Sequence, residues 1–299
     1  MRFCGRIILL IFLLACSIID KAQPFCDVRK YSLTDGLAAN TIADFKQSND
    51  KLMWFGTWNG LSYYDGYTFK TFRDGPDDID WLTTNRIRSI HPNSHNDIWF
   101  ITYDHRPYIF TTHDIRFINV AASLRERLKT TLLVDQVYTL QNATWLVSKD
   151  HKILIRSNEL LKGALKDECE IFIAGKSIYR GGKVFYIKND SHGREWVLTT
   201  KGTYVYSPYQ KPFYCNVPFF WLENIGKRVF LASKTGELAE YIGENQMKWC
   251  KIPSEIKEIR EIKVYDKNTL LLATNIGLVT FDVNRGTTRM WNLQNPNNP

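Results

Sequence analysis

Seven side chains of this 299-residue sequence are of types that could bind a ligand with both polar groups and apolar faces, such as a sugar. They combine aromatic rings with charged groups, and they fall in short polar segments between apolar runs. Aromatic faces pack against the C–H patches of sugars, while charged or amide groups bind sugar hydroxyls in pairs. The alternative is that they form a solvated loop surface or a docking surface for a second domain. The candidates are Trp58, Asp80, Trp81, Tyr103, His105, Arg106 and Lys149.

An internal repeat supplies the elements that must position these side chains. Its marker is a tryptophan that leads a short apolar run ending in threonine or serine. The tryptophans are 45, 46 and 51 residues apart, a period that suits the four-stranded blade of a β-propeller. The copies lie at Trp54–Thr57, Trp99–Thr102, Trp145–Ser148 and Trp196–Thr199, with weaker ones at Val229–Ser233 and Leu271–Thr274.

Each copy predicts the same four strands, a to d. An alternating apolar strand a, such as Ile87–Ile90, leads through a polar turn to the Trp-led strand b. A glycine turn then precedes strand c, and an amphipathic strand d closes the blade. Period-two alternation with turn residues at each break is typical of strands. We therefore predict an all-β propeller over 27–299 with six four-stranded blades, and one helix at 121–129 inserted between the second and third copies.

Tryptophans and cysteines have structural roles in this repeat. We expect the strand-b tryptophans to fill the wedge between neighbouring blades. Cys169, Cys215 and Cys250 fall in the strands d of copies three, four and five. Outer strands of neighbouring blades diverge beyond the roughly 7 Å that a disulfide tolerates. We therefore predict that these cysteines are unpaired.

The blade count predicts a ring that does not close in this chain. The sixth copy has its own strand d, at Thr287–Leu293, yet a strand at Val28–Leu33 precedes the first copy. This orphan strand fits the outer position of a seventh blade whose strands a to c would follow residue 299. A terminal strand that completes the last blade removes an exposed sheet edge.

The N-terminus has the pattern of a secretory signal over residues 1–22. The cationic MRFCGR precedes the apolar IILLIFLLACSII, which is short for a spanning helix of about 20 residues. We predict cleavage near Ala22 or Gln23. Two alternatives stay open: Leu13–Cys16 resembles a lipobox that would leave Cys16 lipidated, and the segment could remain as an uncleaved anchor. All three place residues 27 onward outside the cytoplasm, with membrane contact only through this segment.

Composition describes a globular protein, with 44% hydrophobic, 23% charged and 14% aromatic residues. These proportions exclude a disordered, collagen-like or multi-span membrane chain. The formal net charge is +8, and residues 1–22 contribute +2 of it through Arg2, Arg6 and Lys21 against Asp20. No run of like charges concentrates the excess, so we predict no nucleic-acid partner.

The first copy resembles the two-component regulator propeller repeat. That pattern is approximately Gly-Leu-x-x-Asn-x-Ile, a turn, then Trp-x-Gly-Thr-x-x-Gly-Leu-x-x-Tyr-Asp. It is matched by Gly36–Ile42 and Trp54–Asp65, and in the sixth copy by Ala273–Leu278. Copies two to five keep the tryptophan or the small hydroxyl residue but lose Gly-Leu. The resemblance covers about 27–299.

The resemblance implies the periplasmic sensor region of a hybrid two-component system. Such proteins carry two seven-bladed propellers, an immunoglobulin-like domain, a membrane helix and a histidine kinase, and they respond to oligosaccharides. It implies an oligosaccharide ligand, the remaining sensor domains as partners and a homodimer of the full-length sensor. The kinase and its nucleotide site are not present in this sequence, which would correspond to the signal peptide and most of the first propeller.

Catalysis and metal binding have weaker support. Ser48–Trp54 approaches the Asp-box turn of sialidases but lacks its glycine and one spacer residue. A glycosidase needs two carboxylates about 5–9 Å apart, which the sequence cannot assign. His91 and His95 lie in a turn, where a metal role is not favoured. We predict a non-catalytic ligand-sensing propeller with no cofactor and no metal. The alternatives are a stand-alone docking or carbohydrate-binding propeller and, third, a propeller glycosidase or lyase.

Overall fold

The computed structural model describes residues 29–73, 82–158, 169–176, 178–207, 210–243 and 245–291. Six four-stranded antiparallel sheets follow one another along the chain, and in each the strands lie side by side in sequence order. The first strands of consecutive blades contact each other at four of the blade boundaries, so these strands lie innermost. The predicted all-β propeller with six four-stranded blades is confirmed.

The strands of the first three blades have these bounds. Blade 1 consists of β1 (Ile42–Gln47), β2 (Met53–Thr57), β3 (Gly60–Tyr64) and β4 (Phe69–Phe72). Blade 2 consists of β5 (Ile87–Pro92), β6 (Ile98–Thr102), β7 (Pro107–Thr111) and β8 (Arg116–Asn119). Blade 3 consists of β9 (Val134–Thr139), β10 (Ala143–Ser148), β11 (Ile153–Asn158) and β12 (Cys169–Ile173).

The other three blades repeat this order. Blade 4 consists of β13 (Val184–Asn189), β14 (Glu195–Thr199), β15 (Gly202–Ser207) and β16 (Gln210–Cys215). Blade 5 consists of β17 (Phe219–Ile225), β18 (Arg228–Ser233), β19 (Leu238–Gly243) and β20 (Gln246–Trp249). Blade 6 consists of β21 (Ile259–Asp266), β22 (Thr269–Thr274), β23 (Gly277–Asp282) and β24 (Thr287–Met290).

The hydrophobic core lies between the blades. Each of the five interfaces packs a large strand-b side chain of one blade against apolar residues of the next blade. The strand-b side chains are Trp54, Trp99, Trp145, Trp196 and Phe230, and each is at most 3% exposed. A flat side chain fills the wedge that opens between two twisted sheets. The predicted packing role of the tryptophans is confirmed.

The predicted helix is confirmed as α1 (Val120–Leu128), between blades 2 and 3. Asn119 caps its first turn by accepting a hydrogen bond from the Ala122 N–H at 3.0 Å. Its buried residues Val120, Ala121 and Leu124 join the core between blades 2 and 3. No helix within the described ranges is long and apolar enough to cross a membrane.

The predicted N-terminal strand at 28–33 is wrong for the residues that the structure describes. Residues 29–32 have no regular structure, and Leu33–Asp35 forms a single 3₁₀ turn. Ser32 and Asp35 cap this turn reciprocally, since the Ser32 N–H donates to the Asp35 carboxylate at 2.7 Å and the Thr34 N–H donates to the Ser32 hydroxyl at 3.3 Å. The capping bonds satisfy the backbone locally, so the segment forms a turn in place of a sheet edge.

Cys169, Cys215 and Cys250 are all reduced thiols, as the repeat predicted. Cys169 begins β12, Cys215 ends β16 and Cys250 directly follows β20. They therefore lie in or directly beside the outer strands of three successive blades. The signal segment, the proposed lipidation site at Cys16 and residues 292–293 of the predicted last strand lie outside the described residues.

Candidate functional site

In blades 1, 4 and 6 the loop between strands b and c is shaped by a Thr-x-x-Gly turn. In blade 1 the Thr57 hydroxyl donates to the Gly60 carbonyl at 2.9 Å and accepts from the Asn59 N–H at 3.0 Å. Gly60 has φ +113°, and a Cβ there would lie 2.5 Å from the Phe72 carbonyl oxygen, so only glycine fits. The turn leaves the first loop residue, Trp58, on the surface.

Trp58 meets the equivalent loop residue of the next blade, Tyr103. Their rings are 6.1 Å apart in an edge-to-face arrangement, and the Trp58 indole N–H donates to the Tyr103 hydroxyl at 3.3 Å. The Arg86 guanidinium lies 5.3 Å from the centre of the Trp58 ring. Trp58 and Tyr103 are 45% and 46% exposed. The three side chains form an oriented aromatic surface with an adjacent cation, which is suited to a polar ligand with an apolar face.

Every innermost strand contains a β-bulge directly after its first residue. A bulge inserts one unpaired residue and re-aims its side chain. Bulge residues of neighbouring blades contact each other in two places, which shows that these side chains converge along the ring axis. The bulge residues are Ala43, Arg88, Asp135, Phe185, Phe220 and Arg260.

The bulge residues of blades 2 and 3 form a charged cluster with His105. The Arg88 guanidinium donates to Asp135 at 3.3 Å and contacts His105 Nδ1 at 2.9 Å. His105 Nδ1 also lies 3.2 Å from the Val134 carbonyl oxygen, so this nitrogen is held between a guanidinium donor and a carbonyl acceptor. The cluster is half-buried, so it offers donors and acceptors to a ligand while its geometry is held by mutual contacts.

The bulge residues of blades 4 and 5 form an apolar counterpart. Phe185 and Phe220 stack with ring centres 3.9 Å apart, and Lys234 Nζ lies 4.3 Å from the centre of the Phe220 ring. Both rings are half-buried. This stack, the charged cluster and the Trp58–Tyr103 pair all lie at the end of the sheets where the first strands begin and the second strands end, and we call this face of the ring the axial site.

The predicted site residues have different outcomes. Trp58, Tyr103 and His105 lie in the axial site. Arg106 is engaged by Asp104, with 3.3 Å between its Nε and Oδ2. Lys149 is exposed, and its backbone N–H donates to the Leu133 carbonyl at 2.8 Å. Asp80 and Trp81 lie outside the described residues.

Sequence reasoning overlooked Arg86, Arg88, Asp135, Phe185 and Phe220. A signal for the bulge residues existed, because the two apolar residues of each strand a are three positions apart, as in Ile87 and Ile90. Strict alternation would place them two or four apart, so a spacing of three indicates an inserted residue.

A raised carboxyl pKa and a cluster of metal-ligating side chains are the features that would point to acid–base or metal chemistry. Within the described ranges, the carboxyl whose pKa is raised is that of Asp97, by burial, and Asp97 lies in the turn between strands a and b at the opposite face. The same part of the chain holds no group of three His, Cys, Asp or Glu residues that could bind a metal ion.

Comparisons with known proteins give a partial picture. No protein-family profile matches the chain. A 50-residue segment is 36% identical to histidine kinase P4 of Formosa agariphila, and it spans 17% of this chain and 4% of that kinase.

Among solved structures, the extracellular domain of a hybrid two-component system from B. thetaiotaomicron has a TM-score of 0.48 and 17% identity, over 85% of this chain and 36% of that one. Virginiamycin B lyase from Staphylococcus aureus has a TM-score of 0.47 and 10% identity, over 85% of each chain. The chain therefore spans about a third of that extracellular domain.

Proposed function

We propose that this chain is the ligand-sensing propeller of an exported two-component sensor and that it binds an oligosaccharide, without catalysis, at the axial site. The observation that carries the proposal is the exposed Trp58–Tyr103 pair, fixed by its hydrogen bond and flanked by Arg86. An aromatic pair of this kind covers the C–H face of a sugar, and the adjacent guanidinium binds hydroxyl or acidic groups.

The resemblance to two-component regulator propeller repeats supports a sensing role over an enzymatic one. The local similarity to a histidine kinase agrees with it. A general acid needs a raised pKa close to the reacting bond, whereas the described carboxyl with a raised pKa, that of Asp97, lies at the other face.

Sensing follows from binding by a shift between two arrangements of the sensor. A ligand at the axial site would contact residues of several blades and favour the arrangement that holds them together. The shift cannot exceed the difference in the ligand's affinity for the two arrangements. The partners in this proposal are the remaining sensor domains and a second sensor subunit in the periplasm.

Titration calorimetry against a panel of oligosaccharides tests the proposal with residues 27–299. For a sugar that binds, Trp58→Ala and Tyr103→Ala should each weaken affinity by about tenfold or more. Tyr67→Ala is the matched control, since Tyr67 is 90% exposed in the turn between strands c and d, at the opposite face. Unchanged affinity in both site variants would refute the site.

The same samples separate binding from turnover. After prolonged incubation, mass spectrometry should recover the bound oligosaccharide with its original length and mass. Shortened or unsaturated products that disappear in the Trp58→Ala variant would replace the sensing proposal with a propeller glycosidase or lyase.

A further inference from the structure

The loops of blades 3 to 5 at the axial site carry an excess of cations. They are the loops between strands b and c of these blades and the loops that join one blade to the next. Lys152 is paired with Asp150 at 3.8 Å, and the other carboxylate of these loops is that of Glu237. The remaining cations form no ion pair with any carboxylate of the described residues. These exposed side chains, which we call the cationic patch, are Lys149, Lys176, Arg180, Lys183, Lys201 and Lys234.

The backbone holds two loops of the patch together at the start of blade 4. The Lys183 N–H donates to the Thr200 hydroxyl at 3.0 Å, and the Thr200 N–H donates to the Lys183 carbonyl at 3.0 Å. Gly182 has φ +109°, and a Cβ there would lie 2.8 Å from the Thr200 hydroxyl oxygen and 3.0 Å from Lys201 Cγ. A side chain at residue 182 would therefore force the two loops apart. The glycine lets Lys183 and Lys201 lie in neighbouring positions.

A third cation is fixed beside these two by tyrosines. The Arg180 N–H donates to the Tyr204 hydroxyl at 2.6 Å, and the Arg180 guanidinium lies 4.8 Å from the centre of the Tyr214 ring. The Tyr214 hydroxyl in turn donates to the Lys201 carbonyl. Cations held close together repel one another, and a bound anion relieves that repulsion. This part of the patch is therefore arranged for an anionic group.

The patch borders the apolar part of the axial site. Lys183 lies two residues before Phe185 in the chain. The Phe185 and Phe220 rings stack at 3.9 Å, and Lys234 Nζ lies 4.3 Å from the centre of the Phe220 ring. A sugar ring that packs on this stack therefore has cations next to it.

Cations at the opposite face show what the patch lacks. Arg194 lies 2.6 Å from Asp190, and Arg228 lies 2.6 Å from Glu240. The protein itself neutralises these guanidinium groups. Without such partners among the described residues, the charges of the patch are available to a ligand.

We propose that the axial site selects anionic oligosaccharides, whose carboxylate or sulfate groups bind at the cationic patch. The inference rests on the proposed function, because it names the class of sugar that the proposed site takes. Lysine and arginine donate charge-assisted hydrogen bonds to the oxygens of either anionic group. The cations come from three blades, so they suit a sugar chain with several charged groups better than a single anion.

Titration calorimetry of the purified protein with matched pairs of oligosaccharides tests the inference. One pair is an oligogalacturonate and its methyl ester, and the other is a sulfated galactan oligosaccharide and its desulfated form. A charged member should bind at least about tenfold more tightly than its neutral counterpart, and added salt should reduce the difference. The pair that shows the difference identifies the anionic group as a carboxylate or a sulfate.

Substitutions in the patch locate the selectivity. Lys183→Gln and Lys201→Gln should each weaken binding of the charged member by about threefold or more and leave binding of the neutral member unchanged. Lys201→Arg keeps the charge and should retain most of the affinity. Lys227→Gln is the matched control, because it removes an exposed cation from the turn between strands a and b of blade 5, at the opposite face.

The outcomes separate this inference from the proposed function. Equal affinity for the two members of each pair, or selectivity that persists in the Lys183→Gln and Lys201→Gln double variant, would overturn the role of the patch and leave oligosaccharide binding in place. If only neutral sugars bind, the selectivity falls in the same way. Binding of no oligosaccharide at all would overturn the proposed function with it. An oligothymidylate that binds as tightly as the charged sugar would assign the patch to nucleic acid.

Discussion

Replacing Glu195 by alanine should destabilise the interface between blades 3 and 4 by about 3 kcal/mol or more. Glu195 is 1% exposed and lies at the start of β14. Its carboxylate accepts two hydrogen bonds from Arg156, from Nε at 2.9 Å and from Nη2 at 2.8 Å, and a third from the Trp145 indole N–H. One buried carboxylate thus ties blade 4 to two strands of blade 3.

The magnitude follows from what the substitution leaves behind. Removing one member of a buried ion pair costs about 3–5 kcal/mol, because the other charge stays buried. Burial lowers the pKa of Arg156, but the hydrogen bonds and charge of Glu195 together with Tyr206 and Glu170 raise it overall, so the guanidinium is charged in the native protein. Arg156 keeps Glu170 at 3.6 Å and the Tyr206 ring at 4.4 Å, which places the cost near the lower end of the range.

Urea unfolding of residues 27–299 measures this cost. Glu258→Ala is the control, because its partner Arg260 lies at 3.2 Å in an exposed pair that should contribute less than about 1 kcal/mol. The double variant Glu195→Leu with Arg156→Met should recover most of the loss, since it removes both charges. A Glu195→Ala cost no larger than that of Glu258→Ala would refute the account of this interface.

Three further predictions concern pH, loop geometry and thiol reactivity. Burial lowers the pKa of His91 from 6.5 to about 4, so as the pH falls the unfolded chain binds a proton at a higher pH than the folded chain does. The free energy of unfolding should therefore fall by about 1–3 kcal/mol between pH 6.5 and pH 4. In urea unfolding, the His91→Gln variant should lose less stability over the same pH range. Thr57→Val should lower the free energy of unfolding by about 1–2 kcal/mol and weaken sugar binding. Thr274→Val breaks the same turn in blade 6, so it should lower the free energy of unfolding by a similar amount and leave sugar binding unchanged. Burial raises the pKa of Cys250 to about 11, so its alkylation at pH 8 should be about a hundredfold slower than that of an exposed cysteine. A thiol titration of the denatured, unreduced protein should find four free thiols after residue 22.

The blades could be predicted because their determinants are local and repeated. A strand-b tryptophan three residues before a hydroxyl residue recurs in blades 1 to 4, a glycine three residues after the hydroxyl residue recurs in blades 1, 4, 5 and 6, and each of these residues has a reason in the structure. Trp54 fills an interface, Thr57 closes the loop, and Gly60 allows the backbone of β3 to approach β4. The repeat remained readable where Phe230 and Leu271 replace tryptophan, because the hydroxyl residue and the glycine persist there.

The N-terminal strand could not be predicted correctly, because a strand depends on a neighbour that pattern alone does not supply. Residues 28–33 have strand-forming side chains. Their described part has the sheet of blade 1 below it but no partner strand beside it, and the Ser32–Asp35 capping pair stabilises a turn there. The sequence pattern therefore predicted the position of this segment beside blade 1 more accurately than its conformation.

The axial site could be predicted in part. Trp58 and Tyr103 occupy equivalent loops of adjacent blades, so their proximity follows from the repeat. The contact between Arg88 and Asp135 joins residues 47 positions apart across a blade boundary, and it depends on where each bulge directs its side chain. The direction of each side chain depends on the local backbone geometry, which the residue type at a single position does not predict.

The bulge is the feature that joins fold and ligand site. The extra residue between Ile87 and Ile90 keeps both on the face toward blade 1, where neither is exposed, and leaves Arg88 free to meet Asp135 near the axis. Deleting Arg88 would remove the bulge and leave Ile87 and Ile90 two positions apart, the spacing at which regular alternation keeps both on the face toward blade 1. The deletion and Arg88→Ala should therefore each cost less than about 1 kcal/mol, because the ion pair that both remove is partly exposed. Urea unfolding of the two variants measures these costs, and a deletion cost of about 2–5 kcal/mol would show that the bulge is needed to keep Ile90 in the interface.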